Sequence, residues 1–134
     1  MIKWNDYKAQ AKDRGSLAME VYMIESTVIA SPSEVGRHLP DHLAYQAKLE
    51  QAGILMFAGP LSDETGEMMT GSGLIIYRTR SLESAKALAE EDPMHKKGVR
   101  AFRIRRWLIN EGSLQLNVKL SAQQVDFDPT NQSD

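Results

Sequence analysis

The chain has 134 residues, with 16 basic and 18 acidic side chains, a formal net charge of −2 and no cysteine. That length fits one domain, because a single core of this size buries roughly 65–70% of the surface its unfolded chain exposes and two separate cores would each be marginal. Ordinary apolar and charged fractions exclude a disordered or collagen-like chain, and the lack of cysteine excludes a disulfide framework, a thiolate nucleophile and cysteine-ligated zinc.

The slight acidity weighs against nucleic acid as a partner. No run approaches the ~20 apolar residues of a membrane span. The N-terminal stretch MIKWNDYKAQAKDRG lacks the continuous hydrophobic region of a secretory signal, so the expected compartment is the cytoplasm.

In chain order, Trp4, Tyr7 and Ala11 recur at helical spacing and predict a short helix that ends at Arg14-Gly15. The β-branched and aromatic run from Met19 to Ile29 predicts a first strand, closed by the turn chemistry of Ser31-Pro32-Ser33. A helix is expected from near Pro40, where a fixed φ suits a first turn, to Gly53. Ile54 to Ala58 reads as a second strand, stopped by Gly59-Pro60. After a polar loop, a third strand is expected from Leu74 to Arg80.

Ser81 is a natural N-cap for the helix LESAKALAEE, and Asp92-Pro93 ends it, since the residue before proline is biased away from the α region. A short turn, MHKKG, then leads into a long strand from Val99 to Ile109. The order βαββαβ, with right-handed crossovers, predicts a ferredoxin-like α+β domain: an antiparallel sheet with both helices on one face. The N-terminal helix and a final alternating segment, LQLNVKLS, are additions to that plan. The expected organisation is a single domain over 1–134, with an N-terminal extension at 1–18, a core at 19–110, an extra strand at 111–122 and a loose tail at 123–134.

Three histidines limit the search for a neutral-pH acid or base. His42 lies in the first turn of the expected long helix. Two readings are open for it, a partly buried histidine with a backbone hydrogen bond and a general base. His38 stands four residues earlier, a spacing used by metal ligands, but Pro40 between them predicts that the helix begins after His38, so that the pair need not share a face. No metal site and no cofactor is expected. Asp92 is either a turn-former or the carboxylate that orients an imidazole. Ser72, between two glycines at the start of the third strand, belongs to a tight turn or donates a hydrogen bond to a ligand in a cleft. Arg100, Arg103, Arg105 and Arg106 crowd one strand, as a solvated face or as an anion-recognising one.

The segments HLAYQAKLEQAGILMFAGP, TGSGLIIY and SLESAKALAEEDPMHKKGV together resemble the YCII-related family, over roughly Met19 to Trp107. The resemblance implies a ferredoxin-like fold that dimerises through its sheets into an α+β barrel, and a histidine–aspartate site beside a serine. Carried onto this chain, those residues are His42, Asp92 and Ser72. Where relatives carry an arginine three residues before the helix histidine, this chain has Leu39.

The expected function is a cofactor-independent lyase or isomerase in which His42 moves a proton on a small cyclic oxygenated compound. The alternative is a non-catalytic module that holds a small molecule in the same cleft. A homodimer is expected on independent grounds, because two helices cover one sheet face while the strands carry apolar residues in both registers.

Overall fold

A computed structural model describes residues 1–127. The chain runs α1 (Trp4–Asp13), β1 (Met19–Val28), α2 (Pro32–Gln51), β2 (Leu55–Ser62), β3 (Met69–Tyr77), α3 (Leu82–Glu91), α4 (Pro93–Lys96), β4 (Arg100–Ile109), β5 (Asn117–Lys119) and β6 (Gln124–Asp126). Strands β1 to β4 form one antiparallel sheet in the order β2-β3-β1-β4, the ferredoxin-like arrangement. Tyr22, Ile24, Ile75 and Tyr77 point from the two central strands toward Leu49 of α2 and Ala85 and Ala89 of α3, and together they make the main core. Trp4, Tyr7 and Ala11 of α1 pack with Ala18 and Leu108 at the other end of the sheet.

Several elements differ from their expected bounds. Helix α2 begins at Pro32, eight positions before Pro40, because Ser31 caps it by accepting a hydrogen bond from the Glu34 amide and Pro32 takes the first-turn position. Pro40 therefore lies inside a 20-residue helix. The missing N–H and the opposing ring cost local stability, but packing along the rest of the helix outweighs them. His38 and His42 are thus one turn apart on a continuous helix, and the expectation that the helix begins after His38 is corrected.

Strand β2 continues through Gly59-Pro60 to Ser62. It is an edge strand, where proline's missing donor leaves no ladder bond unmade, and a register shift follows Pro60. Strand β3 begins at Met69, so the Gly71-Ser72-Gly73 run belongs to the strand rather than to the preceding turn. The expected turn after Asp92 is the one-turn helix α4, capped by Asp92 itself.

At the C-terminus the alternating segment supplies only the short β5, which pairs with β6 as a separate hairpin. Leu114, Leu116, Val118 and Leu120 are exposed there instead of half-buried. Of the tail expected over 123–134, Gln124–Asp126 forms β6, and 128–134 lie outside the described residues.

Candidate active site

β1 alternates, and its inward positions are Tyr22, Ile24 and then Ser26, where the apolar core gives way to polar groups. The mid-helix part of α2 and the start of α4 meet above this end of the sheet. Between them and the β2–β3 edge lies a cleft of about 430 Å³ whose walls include Val35, Leu39, His42, Gly73, Ser26 and Arg100. Two of the β3 positions that line the cleft, Gly71 and Gly73, are glycines. A Cβ on Gly71, which has φ +88°, would stand 3.2 Å from Val28 Cβ, and one on Gly73 would stand 3.1 Å from the Gly59 carbonyl oxygen, so both positions need glycine to leave the floor as it is.

His42 and Asp92, fifty positions apart in sequence, are in contact. The His42 Nδ1 lies 2.8 Å from Asp92 Oδ1 and 2.9 Å from Oδ2. Asp92 is fully buried, and its Oδ1 also accepts a hydrogen bond from the Met94 amide as the cap of α4. A carboxylate acceptor on Nδ1 fixes the proton there, which leaves the Nε2 lone pair as the imidazole's basic site. The His42 side chain is 15% exposed and lines the cleft. This is the geometry of an oriented base: one ring nitrogen held by a buried acid, the other unengaged among the described residues.

Ser72 stands apart. It makes no hydrogen bond to His42 or Asp92, and its register partner is Thr27, out of phase with the Ser26–Gly73 pair. Strand alternation therefore turns its hydroxyl toward the opposite sheet face, although its strand segment lines the cleft. His38 lies 3.6 Å from Glu34, and among the described residues no group of three or more His, Asp or Glu side chains is placed to hold a metal ion.

Two residues that sequence reasoning missed, Ser26 and His95, join Arg100, one of the crowded arginines, in a hydrogen-bonded chain at the cleft. His95 Nδ1 is 2.7 Å from the Ala89 carbonyl oxygen, which can only accept, so Nδ1 carries the proton and Nε2 is an acceptor. Ser26 Oγ, 2.7 Å from that Nε2, therefore donates to it, and its lone pairs accept from Arg100 Nε at 2.8 Å. The chain of donors runs from Arg100 to Ser26 to His95 to Ala89. Burial pushes the His95 pKa below its ordinary value, in keeping with a neutral ring. The available signal was Ser26 itself, a hydroxyl at an inward position of an otherwise apolar strand face. His95 carried none, and the arginine cluster did not tell Arg100 from its neighbours.

A ferredoxin-like α+β domain with an acid-oriented imidazole at one end of its sheet is the class of protein these observations define. The YCII-related domain model matches residues 16–108, and the chain belongs to that family. Among solved structures, a 5-chloro-2-hydroxyhydroquinone dehydrochlorinase (TftG) from Burkholderia phenoliruptrix AC1100, in complex with 2,5-dihydroxybenzoquinone, is similar at 24% identity and a TM-score of 0.47, over 65% of this chain and 92% of that one. No curated protein matches the chain.

Proposed function

We propose that the cleft is the active site of a cofactor-independent lyase or isomerase, in which His42 Nε2 takes a proton from a small cyclic oxygenated substrate and returns it at another atom. The observation that carries this reading is the bond from His42 Nδ1 to the buried Asp92 carboxylate, with Nε2 unengaged on a cleft wall. Asp92 would hold the tautomer and stabilise the imidazolium formed in the transition state. A mainly apolar cleft beside the imidazole supports this reading over a simple binding module, which has no need of an oriented base.

A thermal-shift screen of small phenolic, lactone and carboxylate compounds, followed by product analysis on each hit, tests it. With a substrate in hand, His42→Gln is expected to lower kcat by about 10²–10⁴-fold, the usual contribution of a general base. Ser72→Ala is expected to change kcat by less than about threefold, because its position in the strand turns the hydroxyl away. Full turnover by His42→Gln would sink the reading.

The sheet face opposite the helices is the proposed surface of a homodimer. Val21 and Ile76 are buried on it, while Phe57 and Trp107 remain 43% and 45% exposed at its edges. The C-terminal segment, with Leu114, Leu116, Val118 and Leu120 all exposed, is proposed to reach across that interface. Light scattering at micromolar concentration should give twice the chain mass, and a monomer there would refute the dimer. Among the described residues no helix is long and apolar enough to cross a membrane. The proposed compartment is the cytoplasm, which fractionation of a tagged chain checks.

A further inference from the structure

The arginines crowded on β4 separate once the strand is placed. Arg103 and Arg105 face the open side of the sheet, where Arg103 pairs with Glu25 at 3.1 Å. Arg100 pairs in register with Val28 on the helix-covered side and lines the cleft with His42. Its guanidinium is fixed by three hydrogen bonds: Nε to Ser26 Oγ at 2.8 Å, and Nη2 to the Ser26 and Gly71 carbonyl oxygens at 2.9 and 2.8 Å.

All three acceptors are neutral. Among the described residues Arg100 has no ion-pair partner. The two carbonyls occupy both hydrogens of Nη2, and none of the three bonds uses Nη1, which keeps two N–H donors. The positions that aim the group are themselves constrained. Ser26 must offer its lone pairs to Arg100, because His95 takes the hydroxyl proton, and the Gly71 carbonyl is set by a left-handed backbone that favours glycine. Partial burial pulls the Arg100 pKa below its ordinary value, while leaving an arginine charged at neutral pH. The buried Asp92 carboxylate attracts this cation through space but is itself bound to His42 and the Met94 amide, so among the described residues Nη1 has no acceptor of its own.

We propose that Arg100 is the oxyanion-binding group of this cleft, so that the ligand is a small, otherwise apolar molecule with a carboxylate or a ring enolate oxygen that Nη1 receives. This rests on the reading of His42 as the base. In the reaction, the substrate C–H bond beside a carbonyl breaks and a bond from that hydrogen to His42 Nε2 forms. The electron pair of the C–H bond becomes the carbon–carbon π bond of an enolate, the carbonyl π pair moves onto oxygen, and Arg100 Nη1 stabilises the negative charge that develops there. Return of the proton from Nε2 to another carbon completes an isomerisation. In an elimination the enolate collapses to re-form the carbonyl, and a new carbon–carbon double bond forms as the bond to a leaving group on the next carbon breaks. The leaving group departs with that electron pair, and the proton on Nε2 passes to it or to water.

The test is equilibrium binding by calorimetry at constant ionic strength, with two matched pairs of probes: sodium benzoate against benzamide, and 4-nitrophenolate against 4-nitroanisole. The wild-type chain is expected to bind the anion of at least one pair about tenfold more tightly than its neutral partner, and the pair that discriminates tells a carboxylate from a ring oxyanion. Arg100→Gln should abolish the preference. Arg100→Lys, which keeps the charge and serves as the folding control by circular dichroism, should retain part of it. His42→Gln should keep the preference within about threefold.

Discrimination that survives Arg100→Gln, or that is lost in His42→Gln alone, overturns the proposal, as does a wild-type chain that discriminates neither pair. Binding is read at equilibrium and proton transfer by turnover. Failure of Arg100 in the first measurement is therefore distinct from failure of His42 in the second.

Discussion

The two ends of β1 carry polar groups on the same inward face, and they are solved differently. At the N-terminal end Glu20 receives Trp4 Nε1 at 2.6 Å, the Tyr22 hydroxyl at 2.5 Å and the Lys8 ammonium at 3.6 Å. Burial alone would raise the Glu20 pKa, but the bonds from Tyr22 and Trp4 and the charge of Lys8 bring it below the ordinary carboxylate value. Burial and the neighbouring Glu20 push the Tyr22 pKa up to about 12, so its proton stays in that bond. Charge and donors are matched by the chain's own groups. At the C-terminal end Ser26, Arg100 and His42 are equally well fixed, yet an Nη1 and an imidazole Nε2 are left over. Both ends are ordered polar clusters; only one has capacity beyond what the fold consumes, and that surplus marks the candidate site.

Asp92 gives the largest expected effect, because it belongs to both the site and the fold. Asp92→Ala leaves the Met94 amide and His42 Nδ1 without their buried acceptor, and is expected to cost about 3 kcal/mol in urea unfolding. A loss below about 1 kcal/mol would mean that the carboxylate is not structurally required. Next comes Glu20→Gln, expected to cost about 1–2 kcal/mol while leaving anion binding in the cleft unchanged. A change in binding would break the separation between the two ends.

The smallest effect is the pH dependence carried by His95. Its folded pKa lies below the ordinary 6.5. As pH falls through that value the unfolded chain takes up a proton that the folded ring resists, so stability is complete above it and declines below it. His95→Gln, which can still donate to Ala89 and accept from Ser26, should flatten the acid side of a plot of unfolding midpoint against pH. An unchanged slope would remove His95 from the account.

Elements set by local chemistry were legible in the sequence. The helix Leu82–Glu91 lies where Ser81 and Asp92-Pro93 place it, and the first strand ends one residue from its expected limit, since caps, prolines and β-branched runs act over a few residues. Helix α2 was misjudged because two prolines compete for its first turn, and the capping Ser31 before Pro32 outweighs the fixed φ of Pro40. The edge position that lets β2 pass through Gly59-Pro60 depends on which strand pairs with which.

The site divides in the same way. His42 and Asp92 could be singled out from residue type and the family resemblance, whereas their 2.8 Å contact needed α2 and α4 to be packed together. Ser26, His95 and Arg100 come from two strands and a one-turn helix, and Ser72 differs from Ser26 only in the phase of its strand. Sequence by itself determined the kinds of element, their order and the chemical candidates, because propensity, capping and periodicity are local. Only the tertiary structure decided which candidates meet, because antiparallel register joins residues tens of positions apart and one step of phase sends a side chain to the other face.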